Sequence, residues 1–255
     1  MLEKFPTGIY KGENITGKNS FSLTELLTYI KCPKLYALRY VHNLPEAFSE
    51  RIQLGEKVHK YIEHISTIML QGSLSGGGLL KSGKTTGEII ACMLSNIEED
   101  QARYYLDVFL KSSFFIPEDI SSVILEQLFY WKLDSNYITC KVDRMDIKKD
   151  GKFRIIDYKL SKFYPGNENS EYINQLKAYV LGISDVFSIL PGSISSYILY
   201  LENGKETEYN FAESELKKFE DNIISAVNGI KKHQFNKSII SKCSQKCSYY
   251  KICAF

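Results

Sequence analysis

The chain has 255 residues, 44% of them hydrophobic, enough for a sizeable buried core. Its 32 lysines and arginines against 30 aspartates and glutamates leave a net charge of +2, which excludes a globally basic coat, so any nucleic-acid binding must rest on a local patch. The first twenty residues hold no apolar secretory core, and no later apolar run approaches a membrane span. The expectation is a cytoplasmic protein with no membrane partner, whose six cysteines are better read as metal chemistry than as disulfides.

Residues 1–20, with Gly8, Gly12 and Gly17, read as an irregular or β-edge lead-in. Ser22 followed by Glu25 is a capping signature ahead of a helical pattern at Leu26, Leu27 and Ile30, and Pro33, after Cys32, should kink or split that helix. Ser49 to Met69 carries a helical apolar stripe, with His59 at its edge in Gly55-Glu56-Lys57-Val58-His59. Taken alone, a histidine there is most simply a surface or packing residue. Residues 71–87 are rich in glycine and serine, and Gly78 to Thr85 satisfies the literal phosphate-loop pattern. No buried strand precedes Gly78, so a nucleotide hydrolase ranks below a surface loop within a helical insertion. Residues 88–110 resume a helical pattern through Tyr104, Tyr105, Val108 and Phe109. Ser121 to Leu133 is β-rich and carries Glu126, which faces either the same site as Asp143 or solvent at an edge.

Tyr137–Ile147 and Lys152–Leu160 read as paired antiparallel strands around Asp150-Gly151, both turn positions tolerating φ > 0. Asp157 and Lys159, two residues apart, share a strand face, and Asp143 approaches them if the register allows. An exposed cross-strand ion pair has this spacing. So does a divalent-metal site, in which hard oxygens hold Mg²⁺ or Mn²⁺ and the ammonium steadies a water or a developing phosphorane charge. A loop over 161–169 with Pro165-Gly166 then leads to a helix over 171–183, placing Gln175 and Tyr179 on one face. A second hairpin turns at Asn203-Gly204 between strands 194–202 and 205–211, and residues 213–234 form a last amphipathic helix. From about residue 88 the order is helix, three strands, helix, two strands, helix, an α/β or α+β sheet with helices packed on it.

Cys243, Cys247 and Cys253 fall within eleven residues at the C-terminal end, too short a tail to bury three thiols in a core of its own. Three soft ligands need a fourth, and Cys32 is the natural partner. Four thiolates suit zinc or an iron–sulfur cluster, and the ligand set does not separate them. Cys92 and Cys140 read as buried thiols. Lys237, Lys242, Lys246 and Lys251 form a local basic patch that meets phosphate or is simply solvated.

Val142-Asp143, then Ile155-Ile156-Asp157-Tyr158-Lys159, then Gln175 and Tyr179 on a helix, resembles the RecB-like branch of the PD-(D/E)xK nuclease superfamily, most like the CRISPR-associated RecB-like exonucleases and AddB-type iron–sulfur nuclease domains. The resemblance runs from about residue 20 to the end. It implies a single nuclease domain over 1–255: a helical region at 20–111, a restriction-endonuclease-like αβββαβ core with a mixed central sheet at 112–234, and a cysteine tail at 235–255 tied back to Cys32. It also implies Asp143, Asp157 and Lys159 as catalytic residues. His59, in a Gly-x-x-x-His element, would join Asp143, Asp157 and the Tyr158 carbonyl in holding Mg²⁺ or Mn²⁺, and Gln175 and Tyr179 would approach the DNA strand. Cys32, Cys243, Cys247 and Cys253 would hold a 4Fe–4S cluster, with zinc as the alternative. The first tail pair is separated by three residues where the family has two. The expected function is a metal-dependent DNA exonuclease in CRISPR adaptation or DNA repair, acting on DNA that is single-stranded or has single-stranded ends, with integrase or helicase partners. The alternative is a catalytically silent DNA-binding scaffold of the same fold.

Overall fold

The computed structural model describes residues 19–46, 49–74, 85–115, 119–166, 168–236 and 247–253. A six-stranded mixed sheet runs through it: β1 (Ser20–Ser22), β2 (Ile120–Leu133), β3 (Asn136–Lys148), β4 (Phe153–Lys159), β5 (Ile194–Tyr200) and β6 (Lys205–Tyr209). The spatial order is β1-β3-β4-β5-β6, with β2 also pairing with β3. β2 runs antiparallel along the whole of β3 and occupies one of its edges. The other edge is shared, with β1 parallel to Tyr137–Thr139 and β4 antiparallel to Arg144–Ile147. Between Thr139 and Arg144 neither strand reaches, so the sheet forks there.

The β3–β4 turn departs from the two-residue form that Asp150-Gly151 suggests. Lys148 still exchanges a backbone hydrogen bond with Lys152 at 2.8 Å, so three residues form the loop, and Gly151 alone among them has positive φ, at +83°. That is a tight turn closed by one left-handed residue, the next most common hairpin geometry. On the other hairpin β5 ends at Tyr200, earlier than the apolar pattern suggests, and Gly204 supplies φ of +67°.

The helices follow their capping chemistry. In α1 (Leu23–Lys31), Ser22 Oγ accepts from the Glu25 N–H at 3.1 Å and the Glu25 carboxylate accepts from the Ser22 N–H at 3.3 Å. Pro33 splits the segment rather than bending it. Cys32 is extended, as a residue before proline prefers, and α2 (Pro33–Tyr36) leads into a π-helical turn over Ala37–Val41. α3 (Glu50–Leu74) continues into the region read as loop. The pattern over 88–110 resolves into two helices, α4 (Thr86–Ser95) and α5 (Asp100–Leu110), and a Thr85–Glu88 capping box starts the first. Cys92 is exposed, not buried: α4 buries Ile90, and a residue two positions on lies across the helix from it. Cys140 is buried as expected.

Two apolar clusters sandwich the sheet. One joins α1, α6 (Ser170–Phe187) and α7 (Glu213–Lys231) to residues such as Trp131, Ile138 and Ile155, and the other joins α3, α4 and α5 to Ile156, Tyr158 and Leu199. Close approach of α6 to β2 depends on Gly182, where a Cβ would lie 2.5 Å from the Phe129 ring. Among the described residues no helix is long and apolar enough to cross a membrane.

Candidate active site

The fork is where strand alternation slips. In β3, Ile138, Cys140 and Val142 reach one apolar cluster, and the next residue to do so is Met145, three positions on. In β2, Phe129, Trp131 and Leu133 reach that cluster and Ile124 packs against it, which is also one step out of phase. The slip falls at the same level in both strands. Leu125 pairs with Arg144 and Gln127 with Val142, leaving Glu126 opposite Asp143. Glu126 accommodates it with φ of +50°. This conformation costs a non-glycine residue about 1–2 kcal/mol, and strain of this kind clusters at functional sites.

Both carboxylates meet His59 of α3. His59 Nδ1 lies 3.4 Å from Asp143 Oδ1 and 4.0 Å from Glu126 Oε1. Among the described residues these three side chains form the one group whose donor atoms converge, all within 4.8 Å, as metal ligands do. Tyr158 organises them through its backbone. Its N–H donates to Asp143 Oδ2 at 2.9 Å, and its carbonyl lies 3.1 Å from His59 Nε2. An Nε2–H donated to that carbonyl turns the Nδ1 lone pair toward the carboxylates, the usual outer-shell arrangement of a ligating histidine. The Tyr158 carbonyl, expected as a ligand, lies on the Nε2 side of the imidazole. The Tyr158 ring also packs edge-on against His59, with centroids 5.9 Å apart.

Asp157 and Lys159 lie beside this group on the α6 face. Lys159 Nζ is 2.7 Å from Asp157 Oδ2, donates to Gln175 Oε1 at 2.9 Å, and sits 4.8 Å from the centre of the Tyr172 ring. Apart from this ion pair, neither buried Asp157 oxygen has a hydrogen-bond partner. Burial, reinforced by the neighbouring Asp143 charge, pushes Asp157 up to about 6, and Lys159 offsets only part of the shift. Burial acts against the charged form of Asp143 too, but His59, Lys159 and the Tyr158 N–H outweigh it and hold the carboxyl below its ordinary range. For His59 and Lys159 burial opposes the cation. The Asp143 charge nevertheless raises His59, and Asp157 with Asp143 raises Lys159. Four ionisable groups with opposed shifts, Asp157 buried and His59, Asp143 and Lys159 partly so, gathered at a fork in a sheet, mark a site for chemistry.

The sequence matches the profile of the PD-(D/E)XK nuclease superfamily over residues 20–254. The chain belongs to the PD-(D/E)XK nuclease superfamily. Membership implies a metal-dependent nuclease, and the mixed sheet flanked by helices accords with the core of that superfamily. Among solved structures, the crystal structure of SSO0001 is similar at 14% identity and a TM-score of 0.43, covering 94% of this chain and 87% of that one. Protein VC1899 from Vibrio cholerae is similar at 9% identity and a TM-score of 0.26. That match covers 83% of this chain, which spans only 58% of the Vibrio cholerae protein. Among curated proteins, none matches the sequence.

Not every residue suggested for this superfamily site stands where expected. Gln175 is half-buried and joins Lys159 to Tyr179, donating to the phenol oxygen. Tyr179 is 2% exposed. Its ring lies in the core, and its phenol oxygen reaches the site through Gln175. Glu126, only an outer candidate by sequence, stands with His59 and Asp143, and Tyr172 had no signal of its own.

The cysteine set straddles a segment outside the described residues, which contains Cys243 along with Lys237, Lys242 and Lys246. On either side the chain is anchored to one region. Tyr29 donates to the Gln234 carbonyl at 2.7 Å and Phe235 stacks on Tyr36, while buried Tyr249, between Cys247 and α8 (Tyr250–Cys253), donates to the Leu44 carbonyl at 2.6 Å. Cys32 lies between α1 and α2, in the region these contacts reach. Gly78 to Lys84 of the phosphate-loop lookalike also lie outside the described residues, and Thr85 caps α4.

Proposed function

We propose that the protein is a Mg²⁺- or Mn²⁺-dependent deoxyribonuclease that hydrolyses phosphodiester bonds at the fork between β3 and β4. The observation that carries this reading is the convergence of His59 Nδ1, Glu126 and Asp143 beside the ion pair of buried Asp157 with part-buried Lys159. One imidazole nitrogen with hard carboxylate oxygens fits a divalent ion of this class, and Asp157, whose oxygens have no partner besides the Lys159 ammonium, completes an anionic wall. Such an ion supplies Lewis acidity, lowering the pKa of a bound water and polarising the scissile phosphate. His59 and Asp143 are held in place by Tyr158. Lys159, kept protonated by two carboxylates, presents a fixed positive charge to the anion that develops on phosphorus. Gln175 and Tyr172 hold that ammonium in position.

Cys32, Cys243, Cys247 and Cys253 would hold a 4Fe–4S cluster, or zinc, that ties the C-terminal segment to α1 and α2. The anchoring of residues 234–235 and 249 to that region supports the pairing. A cluster-bearing, RecB-like nuclease is suited to exonucleolytic trimming of DNA with single-stranded ends, alongside an integrase or helicase.

The test is cleavage of end-labelled single- and double-stranded DNA by anaerobically purified protein with Mg²⁺ or Mn²⁺, in parallel with Lys159→Ala. Metal-dependent cutting that disappears in the variant supports the reading. A folded wild-type protein that binds DNA and the metal but cuts neither substrate would instead be the silent scaffold.

A further inference from the structure

Immediately beyond Lys159 the backbone is fastened to the β5–β6 turn. The Leu201 N–H donates to the Lys159 carbonyl at 2.9 Å and the Glu202 N–H to the Ser161 carbonyl at 3.3 Å. The Asn203 side chain then grips Phe163 twice, accepting from its N–H and donating to its carbonyl, each at 3.4 Å, much as a neighbouring strand would. The Phe163 ring packs on Tyr200 with centroids 5.3 Å apart. Pro165 and Gly166, the latter at φ of +73°, turn the chain directly afterwards.

Between these restraints stands Tyr164, which is 57% exposed. Its hydroxyl makes no hydrogen bond among the described residues, and the exposed Lys162 ammonium lies 6.0 Å from its ring centre. A single exposed tyrosine is ordinary. This one differs in that the backbone leading into it is hydrogen-bonded to the β5–β6 turn, so the ring is displayed from an anchored segment with a cation over one of its faces, five residues from Lys159. At full extension that is about 17 Å, within a few nucleotides of the proposed scissile phosphate.

We propose that Tyr164 and Lys162 form a platform for one unpaired nucleotide of a single DNA strand, the base stacking on the ring and its phosphate meeting the ammonium. Aromatic stacking tolerates any base but requires that it be unpaired, so the platform selects single-stranded over duplex DNA. The inference rests on the nuclease reading for the position of the strand; the stacking itself does not require cleavage.

Binding of fluorescein-labelled oligothymidylate and of a blunt duplex, followed by anisotropy in EDTA with the full chain, tests it. Tyr164→Ala should weaken single-strand binding about ten-fold while shifting duplex binding by less than about two-fold, and Tyr164→Trp should retain single-strand affinity. Lys162→Gln should flatten the salt dependence by roughly 0.7 in the log–log slope, the loss of one single-strand phosphate contact. Thermal midpoints verify folding, to which an exposed ring contributes little. The platform is overturned if the wild type shows no single-strand binding, if Tyr164→Ala binds within two-fold of wild type, if Trp is no better than Ala, or if the duplex loses as much as the single strand. Because cleavage is absent from the assay, base stacking without metal-dependent cutting would defeat the nuclease reading alone. Cutting that is indifferent to Tyr164 would defeat the platform alone.

Discussion

The backbone N–H of Tyr158 donates to Asp143 Oδ2 at 2.9 Å, just past Arg144 and Ile156, the last paired residues of β3 and β4. The carboxylate thus takes over from the ladder where the strands part, serving the fold and the proposed metal with the same group. Asparagine keeps an acceptor for Tyr158 but not the charge, whereas alanine leaves a buried N–H unpaired at about 1–3 kcal/mol. Both Asp143→Asn and Asp143→Ala should therefore lose metal-dependent cleavage, with only the alanine variant losing that much stability. Urea denaturation in EDTA separates them, and equal stability would show that the hydrogen bond contributes little.

Asp157 gives a pH dependence of definite sign. Its folded pKa of about 6 lies above the ordinary carboxylate value of 3.8, so the fold favours the protonated form. The group's stabilising contribution is complete below about pH 4 and is lost as pH rises through 6. Above that, its ionisation costs the metal-free protein about 3 kcal/mol. In EDTA at pH 8, Asp157→Asn should be more stable than wild type, with the advantage vanishing near pH 4. Added Mg²⁺ should stabilise the wild type more than the variant, which keeps His59, Glu126 and Asp143 but loses the Asp157 charge. An advantage that stays constant with pH would rule out this linkage.

Glu126 separates strain from ligation. At φ of +50°, glycine relieves the backbone while removing the carboxylate, and valine aggravates it. Glu126→Gly should hold or gain up to about 1 kcal/mol in metal-free stability, and Glu126→Val should lose stability. Both should bind Mn²⁺ more weakly, on the order of 100-fold, by calorimetric titration. Unchanged Mn²⁺ affinity in both would remove Glu126 from the ligand set.

Local chemistry was legible in the chain. Ser22 and Glu25 announced the first cap, Pro33 the split, Asp150-Gly151 the hairpin, and the spacing of Asp157 and Lys159 a shared face. The Thr85–Glu88 capping box carried the same signature, hidden within a glycine-rich run. What escaped depends on register over long separations. The division of one β3 edge between β1 and β4 joins segments more than a hundred residues apart, and the left-handed backbone of Glu126 has no composition signal. One trace of the slip was present, because apolar positions 138, 140 and 142 change phase to 145 and 147. The i, i+4 spacing of Gln175 and Tyr179 defined a helix face without saying whether that face meets solvent or core.

The rung next to the site is held by a buried charge triad, whose loss should reach the metal group as well as the fold. Asp146 is fully buried and accepts from Arg144 Nε at 2.7 Å and from Arg154 Nε at 3.0 Å, while Arg144 Nη1 donates to the Phe114 carbonyl at 2.6 Å. Arg144 follows Asp143 in the chain and pairs with Ile156, the residue before Asp157. Asp146→Ala leaves a guanidinium buried without its counter-charge, a loss of about 3–5 kcal/mol. Arg154, nearer the surface, has a route to solvent; Arg144 has none. Replacing both Arg144 and Asp146 by apolar residues removes the stranded charge, so Arg144→Met/Asp146→Leu should be less destabilised than Asp146→Ala alone. Mn²⁺ affinity should recover with stability in the double variant if the triad acts by fixing the last rung. If the double variant regains stability while its affinity stays low, Arg144 contributes its charge to the site directly.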